Sequence, residues 1–151
     1  MLKKSMSIAI LSSVVMLAGC ETMPNNQQSA QNAERLQNRT WIATQIGNTE
    51  IKTAPTARNI PSLQFDSASQ RVSGADGCNR IMGSYQVVGD TLTLSQMAGT
   101  QMACLNNNNI DRDFNVALNK VTHYQVYAKT LKLLDKHGNL LIQLETPIQP
   151  R

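Results

Sequence analysis

The chain has 151 residues, of which 41% are hydrophobic, 16% charged and 4% aromatic. That length fits one domain with a tail, and the apolar share is that of a globular chain. Two of the 14 basic residues, Lys3 and Lys4, stand at the extreme N-terminus, so the rest of the chain is close to neutral against its 10 acidic residues. A nucleic-acid binder carries a stronger, clustered basic patch, and no nucleic acid is expected as a partner. There is no run of about 20 apolar residues, hence no ordinary membrane-spanning helix.

Residues 1–19 read as a secretory signal. Lys3 and Lys4 supply a positive start, and Ile8, Ile10, Leu11, Val14, Val15, Met16 and Leu17 an apolar stretch too short for a stable span. The segment ends in Leu17-Ala18-Gly19-Cys20. This resembles the bacterial lipobox, whose Cys receives a diacylglyceryl group and becomes the mature N-terminus. Cys20 is therefore the expected lipidation site, carrying palmitate-type acyl chains. Each buried CH2 contributes roughly 0.8 kcal/mol, so several chains on one Cys anchor a soluble domain firmly to a membrane. Glu21 follows, where an Asp would resemble an inner-membrane retention signal. The expected location is the outer membrane, with the domain facing the periplasm.

Residues 20–38 are rich in Gln, Asn and Ser and hold few large apolar side chains. They read as a flexible tether, a coil of ~18 residues spanning about 24 Å. The folded domain is expected over 39–146, with a tail at 147–151.

Within it, 41–46 is a β-rich run. Leu63 and Phe65 sit two apart in a second strand, 66–69 is a turn signal, and 71–74 is a short third strand. Ile81, Tyr85 and Val87 share one face of a fourth, with Gly83 between them. Gly89 and Asp90 form a hairpin turn into 91–94, with Leu92 and Leu94 inward. Strands follow at 124–127 and 130–134. After His137-Gly138-Asn139, Leu140, Ile142 and Leu144 share a face of the last one, which Pro147 and Pro150 end.

One segment departs from the period of two. Ile110, Phe114, Ala117, Leu118 and Val121 make a single helical stripe, with Asn109 as the expected N-cap and Asp111 and Asp113 suited to a helix N-terminus. An apolar stripe must be buried against another element. The expected fold is α+β, mainly β: a curved antiparallel sheet or partly open barrel packed by one α-helix.

The segment Gly74-Ala75-Asp76-Gly77-Cys78-Asn79-Arg80 runs into Gly83-Ser84-Tyr85, and Gly99-Thr100-Gln101-Met102-Ala103-Cys104 follows. With Trp41 before them and Leu118, Tyr124, Leu131 and Leu133 after them, these residues resemble, in order, the META domain of HslJ-type heat-shock lipoproteins. Two positions depart from that pattern: Gly99 precedes Thr100 where a Ser or Thr is usual, and Asp111 and Asp113 stand where the helix usually carries Glu. The resemblance implies a stress-linked envelope protein, associated with heat and with tolerance of antibiotics such as novobiocin, and no defined chemical activity.

The motif loop comprises Gly74, Gly77, Asn79, Gly83, Tyr85 and Met102. Its glycines fit a tight turn between strands, and the alternative is a binding loop. The spacing is not that of a nucleotide cradle. Setting Cys20 aside, Cys78 and Cys104 remain, an even count in an oxidising compartment, and one disulfide is expected. Two rivals use the same atoms. Cys78 and Cys104 with His123 and His137 could form a Cys2His2 zinc site, but none of them has close ligand spacing. A Cys nucleophile with a His base lacks an orienting acid. Asp76 beside Arg80 reads as a local loop pair, Met97 and Met102 as filling rather than soft-metal ligands, and 106–109 as a polar loop.

No catalytic residue, metal ligand or cofactor is therefore expected. The leading reading is a non-enzymatic binding module, held to the membrane through its lipid, with an envelope protein as partner. The alternative is a carrier of a small hydrophobic ligand, a lipid or drug, in a capped barrel. Trp41, Phe65, Tyr85, Phe114 and Leu118 decide between them, because if they fill the interior no ligand fits.

Overall fold

A computed structural model describes residues 26–52 and 58–147. The expected signal segment, Cys20 and Pro150 lie outside the described residues. The strands are β1 (Thr40–Ile46), β2 (Thr49–Glu50), β3 (Ser62–Asp66), β4 (Arg71–Ala75), β5 (Arg80–Val88), β6 (Thr91–Gly99), β7 (His123–Tyr127), β8 (Thr130–Leu134) and β9 (Leu140–Glu145). The helices are α1 (Asn26–Leu36) and α2 (Ile110–Leu118).

Antiparallel neighbours run in the order β2-β1-β3-β4-β5-β6-β7-β8-β9, and a further β1–β9 pairing closes the sheet into a ring. Strand alternation sets what lies inside. Trp41, Leu63, Phe65, Val72, Ile81, Tyr85, Leu92, Tyr124, Leu131, Leu133, Ile142 and Leu144 are all buried. Trp41 lies opposite Leu63, and Phe65 opposite Val72, so large side chains meet across neighbouring strands. The Phe65 and Tyr85 rings meet edge to face, with centroids 5.1 Å apart. The five side chains that decide whether a ligand fits are each at most 3% exposed and pack in the core.

The ring is closed unevenly. β1 and β9 share register pairs from Ile42 with Glu145 to Ile46 with Ile142. β6 and β7 share only Thr91 with His123, flanked by backbone bonds from Leu92 N–H to Thr122 and from Tyr124 N–H to Asp90. Beyond Thr91, β6 climbs beside β5 alone, past a bulge at which Gln96 takes a left-handed φ of 52°. β6 thus runs to Gly99, well past the expected end at Leu94, because the bulge breaks the alternation that marks a strand.

Each end of the barrel has its own helix. Phe114, Ala117 and Leu118 of α2 are buried, and α2 packs on β1 and β9. The stripe residue Val121 is buried just beyond the helix end. Asn109 holds the N-cap position, its O accepting Asp113 N–H at 3.0 Å, but it is left-handed, with φ 59°, and its side chain makes no cap bond. Asn107 does the local work instead, accepting from Asn109 N–H at 3.1 Å and donating to Asp111 Oδ1 at 2.8 Å.

The opposite end corrects the tether. Residues 26–36 form α1, not a coil. Only one large apolar side chain, Leu36, secures it, but that side chain is fully buried. Trp41 Nε1 donates to Leu36 O at 2.8 Å, Gln37 Nε2 to the Tyr85 hydroxyl at 2.8 Å, and Asn38 N–H to Phe65 O at 2.7 Å. α1 also touches β7. A polar helix of this length is marginal alone, and docking of its last turn stabilises it.

Candidate functional site

The Gly-rich motif forms the loop from β4 to β5 at the α2 end. Gly74 must be a glycine for lack of room: a Cβ there would stand 1.9 Å from Ser62 O on the paired strand. Gly77 combines a φ of +105° with close neighbours, since its Cβ would meet Ile110 Cγ2 at 3.0 Å. The loop can therefore press against the first turn of α2 only if position 77 lacks a side chain.

Asp76 organises the loop. Its residue is 2% exposed. Oδ1 accepts the N–H groups of Cys78 at 2.9 Å and Asn79 at 2.7 Å, and Oδ2 accepts Asn115 Nδ2 from α2 at 2.7 Å. The Asn115 amide also donates to Asp111 O at 2.9 Å, which fixes its orientation. The local pair of Asp76 with Arg80 does not form: the Arg80 side chain is exposed, and the carboxylate is occupied elsewhere. A carboxylate that accepts three N–H groups can stay buried without a cation beside it.

Asn79 continues the chain of bonds. Its Oδ1 accepts Met102 N–H at 2.6 Å and the Thr100 hydroxyl at 3.2 Å. Thr100 and Arg80 close the strand end, with Thr100 N–H donating to Arg80 O at 3.0 Å and Arg80 N–H to Thr100 Oγ1 at 3.1 Å. Cys78 and Cys104 are bonded, with Cα atoms 5.8 Å apart and a sequence separation of 26. Cys78 is buried and Cys104 exposed. The segment that leaves β6 is thus tied to the loop by a covalent bond and an amide, and the loop to α2 by a carboxylate.

The structure brings Gly74, Gly77, Cys78, Asn79, Met102 and Cys104 together. Gly83 lies apart, on β5 beside the bulge, where Met97 Sδ covers it. Tyr85 is at the α1 end, donating to Asp66 O at 3.2 Å and accepting from Gln37. Burial pushes its phenol above the usual range. Burial does the same to Tyr124, whose hydroxyl donates to Gly89 O at 3.2 Å. The Met102 side chain is 52% exposed, so the residue acts through its backbone N–H.

The bond between Cys78 and Cys104 takes up both thiolates that a zinc site or a nucleophile would use. His123 starts β7 with Nδ1 2.9 Å from Thr122 Oγ1, and His137 is exposed in the turn before β9. Sequence reasoning missed the roles of Asp76 and Asn115. Asp76 had a local signal, an Asp with N–H groups two and three residues on, as in an Asx turn. Asn115 had none, lying 39 residues away.

The META domain family model matches residues 34–147. The chain belongs to the META domain family. Its META domain begins at residue 34, inside α1, so the last turn of that helix falls within the family's span. Among solved structures, an NMR structure of a protein from Burkholderia xenovorans superposes with a TM-score of 0.60 at 23% identity, covering 99% of this chain and 100% of that one. A second NMR structure gives 0.59 at 22%, covering 74% and 92%. The crystal structure of a DUF4847 family protein from Bacteroides vulgatus ATCC 8482 gives 0.56 at 19%, covering 78% and 98%. At these identities the likeness is one of fold. A comparison with curated proteins gives no match.

Proposed function

We propose that this META-domain protein is a lipid-anchored envelope protein that acts as a non-enzymatic binding module. In this reading Cys20 carries the acyl chains, the anchor sits in the outer membrane, and the domain faces the periplasm. A link to heat or envelope stress and to novobiocin tolerance follows from the HslJ-type resemblance.

One observation carries the non-enzymatic reading. The polar groups of the motif loop are spent on one another: Asp76 accepts three N–H groups, Asn79 Oδ1 takes Met102 N–H and the Thr100 hydroxyl, and both thiols are in the disulfide. Groups so committed hold a shape, whereas a catalytic acid, base or nucleophile needs a free face toward its substrate. The barrel interior, filled by Trp41, Phe65, Tyr85, Phe114 and Leu118, gives the small-ligand alternative no support. Recognition in this reading falls to the outer surface.

The anchor is tested by intact mass and fractionation of the full chain expressed in a Gram-negative host. The expected product begins at Cys20 with a diacylglyceryl mass and sediments with outer membranes, and Cys20→Ala shifts it to the soluble fraction. An unlipidated product beginning elsewhere would overturn the reading. The stress link is tested by deleting the gene and complementing it with the wild type and with Cys20→Ala. Novobiocin tolerance restored only by the lipidated form is the expected result, and unchanged tolerance on deletion would refute the link.

A further inference from the structure

The lipid-anchor reading above, combined with the placement of α1, has a geometric consequence. Cys20 and the first residue of α1, Asn26, are six residue steps apart. Whatever path that stretch takes, it cannot exceed about 21 Å. The sequence alone suggested a loose coil of ~18 residues. Folding draws most of that coil into α1, and Leu36, Gln37 and Asn38 then fasten the helix to the barrel end formed by Phe65, Tyr85 and Trp41.

The opposite end is far away on this scale. β5 and β6 each have nine residues. At roughly 3.3 Å per residue and a barrel tilt of about 40°, they extend about 23 Å along the axis. α2 and its loop add about 10 Å more, the thickness of a helix. The α2 end therefore stands about 33 Å from the α1 end. α1 lies against β7, whose first residue pairs with the first of β6, so the helix stays at the near end and a leash of about 21 Å from its first residue does not span the barrel.

We infer that the barrel is held on the bilayer in a fixed sense, with the α1 end against the lipid headgroups and the disulfide-tied α2 end directed away from them. The surface so apposed comprises α1, the tip of the β5–β6 hairpin and the turn between β7 and β8. Two side chains there suit a headgroup layer. Tyr127 is 83% exposed at the end of β7, and Val88 is 68% exposed at the end of β5. A tyrosine at a wet apolar boundary is well placed, with its ring in the acyl border and its hydroxyl in water. Lys129, in the turn after Tyr127, and Arg35, in the last turn of α1, are both exposed and can pair with phosphate groups. The α2 end, with its clamp of Asp76, Asn79 and the Cys78–Cys104 bond, is then the pole left open to partners.

The test uses the full lipidated chain in vesicles of phosphatidylethanolamine and phosphatidylglycerol containing a headgroup-spin-labelled lipid. A fluorophore is placed at the α1 end through Lys129→Cys or at the α2 end through Val116→Cys. Intact mass first establishes whether Cys20 carries lipid, and without lipid the inference falls together with the anchor reading. With lipid present, the label at 129 should be quenched several-fold more than the label at 116. Equal quenching, or the reverse order, would overturn the orientation and leave the anchor standing. An insertion of about 20 Gly and Ser residues after Glu21 lengthens the leash by a coil of roughly 25 Å. It should abolish the difference, and persistence of the difference would overturn the leash as its cause.

Discussion

Truncating Asp76 to Ala strands the N–H groups of Cys78 and Asn79 and one N–H of the half-buried Asn115 amide, whose other N–H keeps Asp111 O. Each stranded donor costs on the order of 1 kcal/mol or more, so Asp76→Ala should lower the unfolding free energy by about 3 kcal/mol. Asp76→Asn should cost about half of that. Its oxygen can keep both backbone donors, but its amide faces the Asn115 amide, which Asp111 O prevents from flipping freely. Urea midpoints of the two variants test the order, and equal midpoints for Asp76→Asn and the parent would refute this account of the loop. Gly74→Ala meets backbone rather than a movable side chain, at 1.9 Å. The β3–β4 pairing must shift to admit it, and a loss of more than about 2 kcal/mol, or failure to fold, is expected. The roles of these residues were only half legible in the sequence. The glycines and cysteines announce a tight, crosslinked turn, whereas the burial of Asp76 depends on an asparagine 39 residues on.

Among the elements, the strands were easy to read and α1 was not, for one physical reason. A barrel strand has a dry face and a wet face, so its pattern is written in every second residue. The α2 stripe is written as clearly, at a period near four. The segment that forms α1 is mostly Gln, Asn and Ala and docks through Leu36, backbone groups and the Gln37 side chain just past its end, which leaves almost no pattern. Leu36→Ala should therefore cost about 2–5 kcal/mol, as for any fully buried leucine, and release the helix. A loss of helical signal in far-ultraviolet circular dichroism, at temperatures where the strands persist, is the expected sign. The disulfide joins cysteines at a sequence separation of 26. By the chain-entropy argument, replacing both Cys78 and Cys104 with Ala should lower stability by about 3.5 kcal/mol, as a shift of the denaturation midpoint.

At the scale of the whole molecule, stability should be bounded by acid and by base through different groups. Asp66 and Asp135 hold carboxyls below the usual carboxylate range: Asp66 through N–H groups of Ser69 and Ala68, Asp135 through Asn139 first and His137 in addition. Their contribution is present above the ordinary value of 3.8 and is lost as pH falls through the lower folded values. Tyr85 and Tyr124 are pushed above 10.0 by burial. Below that value they bind the same protons folded and unfolded. Above it the unfolded chain ionises first, and stability falls as pH rises. Urea midpoints from pH 3 to 11 should show a plateau that declines at both ends. Tyr85→Phe should flatten the alkaline decline, and an unchanged slope would remove Tyr85 as its cause.

The unequal closure of the ring also makes the molecule divisible. A cut between residues 106 and 107 separates β1–β6, with both loop cysteines, from α2 and β7–β9. The two pieces would face each other across one long zipper, β1 with β9, and one short one at Thr91 and His123. Neither piece can bury its half of the core alone, so each should be unfolded in isolation and the pair should reassemble on mixing. Trp41, buried in the core that the two pieces complete together, would report the event by its fluorescence. A protein whose halves find each other in this way can serve as a split reporter, silent as fragments and restored when two other proteins bring them together.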